Sequence, residues 1–176
     1  MADRVRILAS LANQRAELEA RYRSFDDETL DTPCTSSEDP DGSAWSPRDH
    51  LAHLLRIEAA FVAMAKATVA GDDEPVKIPG SSWEERLQAV HRANEEHVEG
   101  LRGRSVDELL AELTSTRDVT LDALDELTDE QLDLPIPGAP WGDGSIGSVL
   151  WTIAHHERQH LLWVDEGLDA LALGEE

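Results

Sequence analysis

Apolar residues recur along this chain at steps of three and four, and no run alternates apolar with polar in the manner of a half-buried strand. Val5, Leu8, Leu11, Ala12, Leu18 and Tyr22 mark a first amphipathic helix over about residues 2–24. A polar loop with Pro33, Cys34, Pro40 and Gly42 follows. It ends where Ser46 is placed to cap a second helix and Pro47 to occupy its first turn, and that helix runs to about Ala70. Ser81 and Ser82 precede Glu84 and Glu85 at capping-box spacing and open a shorter helix through about Leu101. Ser105 and Glu108 repeat the device at the head of a long helix carrying Leu109, Leu110, Leu113, Val119, Leu121, Leu124 and Leu127, which ends near Thr128. Pro135, Pro137, Gly138, Pro140, Gly142 and Gly144 then forbid helix until Ser145 or Gly147 starts the last one. Four long helices and one short one, without strands, predict an all-α bundle formed by a single domain over residues 1–176.

Composition narrows the function classes. A chain of 176 residues buries about two thirds of the surface it exposes when unfolded, so it needs no staple to fold. The one cysteine, Cys34, excludes an intramolecular disulfide, and nothing near the start pairs a basic patch with an apolar run as a secretory signal does, which makes a cytoplasmic location the expectation. The most apolar stretch, residues 59–70, is interrupted by Lys66 and falls short of the roughly 20 apolar residues that span a bilayer. With 37 acidic residues against 15 basic, the net charge of −22 repels the phosphate backbone, so nucleic acid is not an expected partner. A small molecule is.

The chemistry concentrates in the last helix, at His156-Glu157-Arg158-Gln159-His160. Residues four apart stack on one helix face, so the two imidazoles are within reach of one metal ion. At about 100° per residue, Ile146, Val149, Leu150, Ile153, Glu157, His160 and Val164 share the inward face with His156 at its edge, while Trp151 and His155 point away. The same five residues match the H-E-x-x-H pattern of zinc peptidases, but those enzymes align substrate along a strand and none is predicted here. A catalytic zinc usually takes three protein ligands and keeps one position for water, so a third must come from elsewhere. If the second and last helices run antiparallel, His50 or His53 reaches the level of His160, and the angles mildly favour His50. His91 and His97 lie on the charged shorter helix and are expected in solvent. Glu157 has two readings: to take a proton from a metal-bound water or thiol, or, preferably, to hold a ligand imidazole in orientation. Cys34 reads as incidental, Trp45 and Trp141 as loop anchors, and Arg48, Arg102 and Arg104 as surface charges that lie toward the same end of the molecule.

The segment Trp45-Ser46-Pro47-Arg48-Asp49-His50-Leu51-Ala52-His53-Leu54 resembles the second-helix signature of the DinB-like superfamily, with its Trp-Ser start and Leu-Ala-His-Leu. The last helix and the stretch from Asn94 to Leu110 resemble the corresponding parts of the same proteins, so the resemblance covers most of the chain. It implies an up-down-down-up four-helix bundle, here with one extra short helix, often a homodimer. It implies a divalent metal, zinc or nickel above all, held by His53, His156 and His160, which leaves His50 as a packing or supporting residue. Relatives include thiol-dependent S-transferases and isomerases that use mycothiol or bacillithiol, among them the N-terminal domains of mycothiol-dependent maleylpyruvate isomerases, and a branch that protects producers from reactive natural products. The expectation is therefore a metal-dependent transferase, isomerase or hydrolase acting on a small electrophile, with Glu157 as the candidate catalytic residue. The alternatives are a protein that sequesters such a molecule and a bundle whose metal only supports the fold.

Overall fold

The computed structural model describes residues 3–37, 39 and 42–174, so Ala2 and Pro40 lie outside the described residues. Seven helices are present among the described residues: α1 (Arg4–Tyr22), α2 (Asp27–Asp31), α3 (Pro47–Val69), α4 (Trp83–Leu101), α5 (Val106–Glu126), α6 (Asp129–Leu132) and α7 (Ile146–Leu173). The predicted caps form. The Ser46 hydroxyl accepts from the Asp49 amide while Asp49 returns to the Ser46 amide, with Pro47 at the first helical position. Ser105 and Glu108 pair in the same way, and Ser82 and Ser145 cap α4 and α7. Among the described residues there is no strand, and two isolated bridges are present, Thr35 with Trp45 and Pro135 with Ser145. None of these helices is long and apolar enough to cross a membrane.

Cross-helix bonds give the directions. Arg15 reaches the Leu113 carbonyl and Arg117 the Leu11 carbonyl, so α1 and α5 are antiparallel. Arg15 meets Glu157 and Arg21 meets Asp165, so α1 and α7 are parallel. His53 faces His156 and His50 faces His160, so α3 and α7 are antiparallel. The bundle of α1, α3, α5 and α7 is thus up-down-down-up. Two consecutive long helices that run the same way need a return path, and α4 supplies it, packing along α3 with Arg56 on Asn94 and Asp49 on Arg102. This extra helix has the bounds expected for it and, at 19 residues, is as long as α1. The short helices α2 and α6 fall in segments expected to be loop, where Asp26 and Thr128 act as caps.

Aliphatic side chains fill the interior in two large clusters. One joins Ile7, Leu11, Phe61, Leu124, Ile146, Val149, Leu150 and Ile153; the other joins Leu18, Leu51, Leu54, Leu109, Leu110, Leu113 and Leu161. Each such side chain stabilises the fold by about 1.5–3 kcal/mol when fully buried. The inward face predicted for α7 is buried as expected. Two faces differ. Val5 and Leu8 are exposed, as are Val119 and Leu121, because the positions that continue the buried stripes of α1 and α5 are polar: Arg15 on α1, Arg117 and Thr120 on α5.

These polar residues meet at the centre. Arg15 donates to Glu58 Oε2 at 2.7 Å and to Glu157 Oε1 at 2.5 and 2.9 Å. Arg117 donates to Glu58 Oε1 at 2.7 Å and to Glu157 Oε1 at 2.9 Å, and the Thr120 hydroxyl donates to Glu58 Oε1 at 2.7 Å. Each of the four bundle helices contributes one charge, and the cluster is neutral.

Candidate metal centre

Four histidines converge where the first turns of α3 pass the middle of α7. Position and spacing explain why. His50 and His53 are three residues apart on one side of α3, His156 and His160 four apart on α7, and the antiparallel crossing sets them level. His53 Nε2 lies 3.4 Å from His156 Nε2, and His160 Nε2 lies 3.0 Å from His156 Nε2. One nitrogen each of His53, His156 and His160 falls within 4.8 Å of the others, a group that fits a metal ion. Nitrogens 2.0–2.1 Å from a tetrahedral zinc sit about 3.3 Å apart, so the donor set has the right chemistry and nearly the right span. His50 stands outside this group. Its Nδ1 lies 2.7 Å from His160 Nδ1 and its Nε2 lies 2.8 Å from the Thr35 hydroxyl.

All four imidazoles are kept neutral. Burial, first of all, lowers His50 and His156 to about 4, with Asp49 opposing at His50 and His155 adding to the fall at His156. His53 and His160 also fall well below the usual imidazole value, again mainly through burial. A neutral ring offers a metal its lone pair. The sign for stability follows from proton uptake: between pH 6.5 and 4 the unfolded chain binds protons that these buried rings refuse, so acidification favours unfolding. Chelator-treated protein is expected to lose on the order of a few kcal/mol across that interval. Urea unfolding at a series of pH values measures it, and a flat profile contradicts the neutral-ring assignment.

Aromatic rings frame the cluster. Trp45, almost fully buried, places its indole 5.5 Å from His50 and 5.1 Å from His53, and its Nε1 donates to Glu95 at 2.9 Å. Trp163 packs edge-on to His160 at 4.9 Å. Between the two indoles opens a cavity of about 470 Å³, bounded also by Thr35, His50, His160 and Glu166. At Gly167 the loop comes so close to α7 that a Cβ would stand 2.1 Å from the Cys34 carbonyl oxygen. Only a residue without a side chain permits that approach. The Cys34 thiol is pushed up to about 11, chiefly by burial, so it stays protonated and is unsuited to act as a nucleophile.

Other expected residues are placed differently. Glu157 is not brought to the histidines: its bonds go to Arg15 and Arg117, and Oε2 is buried with no hydrogen-bond partner. Burial raises its pKa while Arg117 and Arg15 pull it back. His97 is not in solvent. It is half-buried with an unpartnered Nε2, and burial lowers its pKa. Arg48, Arg102 and Arg104 do gather near the start of α3, but each is engaged by acids: Arg48 by Asp31, Arg102 by Asp49 and Glu95, Arg104 by Glu112. Trp141 packs on Phe61 at 4.7 Å and serves the core. Trp163 went unnoticed in the sequence, although its place three residues after His160 puts it on the same side of α7.

A family model for the DinB superfamily matches residues 37–164, the span that holds α3, α4, α5 and all four histidines. The chain belongs to the DinB superfamily. No curated protein and no solved structure matched it. The matched span begins after α1, so Arg15 lies outside it. Members of this superfamily often bind metal, which agrees with a cluster of histidines that has no acid among its donors.

Proposed function

We propose that this protein is a metal-dependent enzyme that joins a small thiol to a small electrophile at the cluster of His53, His156 and His160, with zinc or nickel as the ion. The observation that carries this reading is the convergence of three neutral imidazoles, one of which, His160, lines a cavity walled by two indoles. Three uncharged ligands leave a bound ion its full positive charge, which draws the pKa of a bound thiol or water toward neutrality. The cavity sets the ligand class. Among its described lining residues the only charged one is Glu166, and Arg48, Arg102 and Arg104 are paired with acids, so none of the described lining residues is a cation that would receive a carboxylate-bearing ligand. Trp45 and Trp163 suit a flat or aliphatic, uncharged group. Glu157 is turned to two guanidiniums and stands outside the histidine group, so it is not placed to move a proton at the ion, and in this reading it keeps α7 in place.

The test uses 2-mercaptoethanol as thiol and 1-chloro-2,4-dinitrobenzene as electrophile, where a carbon–sulfur bond forms, chloride leaves with its electron pair and the thiol proton passes to the buffer. Protein loaded with zinc or nickel is expected to consume thiol at least tenfold faster than chelator-treated protein, read by a colorimetric thiol assay. Equal rates overturn the transfer reading. Saturable binding of the electrophile without thiol loss points to sequestration instead.

A further inference from the structure

His50 stands outside the metal group, yet it is almost fully buried and both of its ring nitrogens are engaged. Its contact with His160 joins nitrogen to nitrogen at 2.7 Å, and such a bond needs one nitrogen protonated and the other bare. The nitrogen of His160 that points into the cluster is Nε2, 3.0 Å from His156 Nε2. A ligand nitrogen carries no proton, so a metal-bound His160 must hold its proton on Nδ1 and donate it to His50 Nδ1. His50 then carries its own proton on Nε2 and donates to the Thr35 hydroxyl at 2.8 Å. The opposite polarity, Thr35 to His50 to His160, would aim an N–H at the ion. The three groups therefore have one arrangement compatible with a bound cation.

From this geometry we infer that His50 is a positioning residue: it accepts the Nδ1 proton of His160, fixing that ring's tautomer and orientation for metal binding, and is itself held by Thr35. The inference rests on the metal reading above. Thr35 is well placed to hold it. The hydroxyl sits on the loop that the Thr35–Trp45 bridge ties to the start of α3, with Trp45 N donating to Thr35 O at 2.8 Å and Trp45 packed edge-on against His50. His53 has no equivalent support, since its Nδ1 is buried without a partner. Outer partners of ligand histidines commonly change metal affinity by about ten- to a hundredfold.

The test has two arms on the full chain. In the first, zinc affinity is measured by competition with a chromophoric chelator. His50→Leu keeps the volume but removes the acceptor, and zinc binding is expected to weaken ten- to a hundredfold. His50→Asn returns an oxygen acceptor near the Nδ1 position and is expected to bind within about threefold of the wild type, a rescue that packing alone would not produce. Equal affinity of His50→Leu and wild type overturns the inference, as does equal weakening in both variants. In the second arm, long-range proton–nitrogen NMR spectra of zinc-loaded wild type report which His50 nitrogen is protonated. A proton on Nε2 is expected; a proton on Nδ1 overturns the inference even if His50→Leu fails to fold. If wild type binds no zinc at all, the metal reading falls and takes this with it, whereas tight zinc binding with the wrong His50 tautomer sinks only the role of His50.

Discussion

Glu58→Ala is expected to destabilise the protein by about 3–5 kcal/mol, the range found when one partner of a buried ion pair is removed. Glu58 accepts from Arg15, from Arg117 and from Thr120, and both of its oxygens are used. Without it, two guanidiniums share the single Glu157 carboxylate in a space closed to water. An isolated charge there has no cheap remedy, because arginine does not give up its proton. For a chain of this length the loss corresponds to a fall in Tm of about 10 °C. Urea unfolding of wild type and variant reads it directly, and a change below about 1 kcal/mol would show that water reaches the cluster. Replacing all four charged residues together by apolar side chains of similar volume is expected to recover most of the loss, since neutral packing then replaces a balanced but heavily desolvated set.

The second large effect concerns the metal. His160→Ala is expected to weaken zinc binding by more than about a hundredfold, beyond the range set by outer partners, because it removes one donor outright. His53→Ala should do the same, since either substitution leaves only two of the three donor imidazoles. His155→Ala serves as control, as His155 is exposed and stacks on Trp151. Elemental analysis after gel filtration gives the stoichiometry. A thermal shift gives a second readout: zinc at a hundred times its Kd stabilises the wild type by about 2.7 kcal/mol, and His160→Ala should show none of it. Undiminished metal in His160→Ala would place the ion elsewhere.

Much of this arrangement was legible in the sequence, for identifiable reasons. The caps at Ser46, Ser105 and Ser145 are local bonds within a few residues, and local rules find them. The inward face of α7 is nearly all aliphatic, so its period alone located Glu157 and His160. The stripes of α1 and α5 misled because arginine occupies core positions there, and a polarity pattern counts arginine as surface. Nothing local signals that Arg15 and Arg117 neutralise Glu58 and Glu157, since the partners lie 40 to 142 residues away on two other helices, α3 and α7. The same holds for His50: its angle on α3 pointed inward, but only the fold shows that it meets the far nitrogen of His160 and leaves the cluster to His53. Glu157 shares a helix with two histidines, and that neighbourhood suggested a chemical duty that its actual partners do not favour.

The buried charges are also sorted by helix. Both acids stand on α3 and α7, the pair that carries the histidines, and both bases on α1 and α5. Each half of the bundle is therefore incompatible with a copy of itself, because closing two acid-bearing halves together, or two base-bearing ones, would entomb like charges with nothing between them. The apolar stripes alone would tolerate such misassembly; the electrostatic lock at their centre makes complementary halves the only favourable match while the chain is finding its fold.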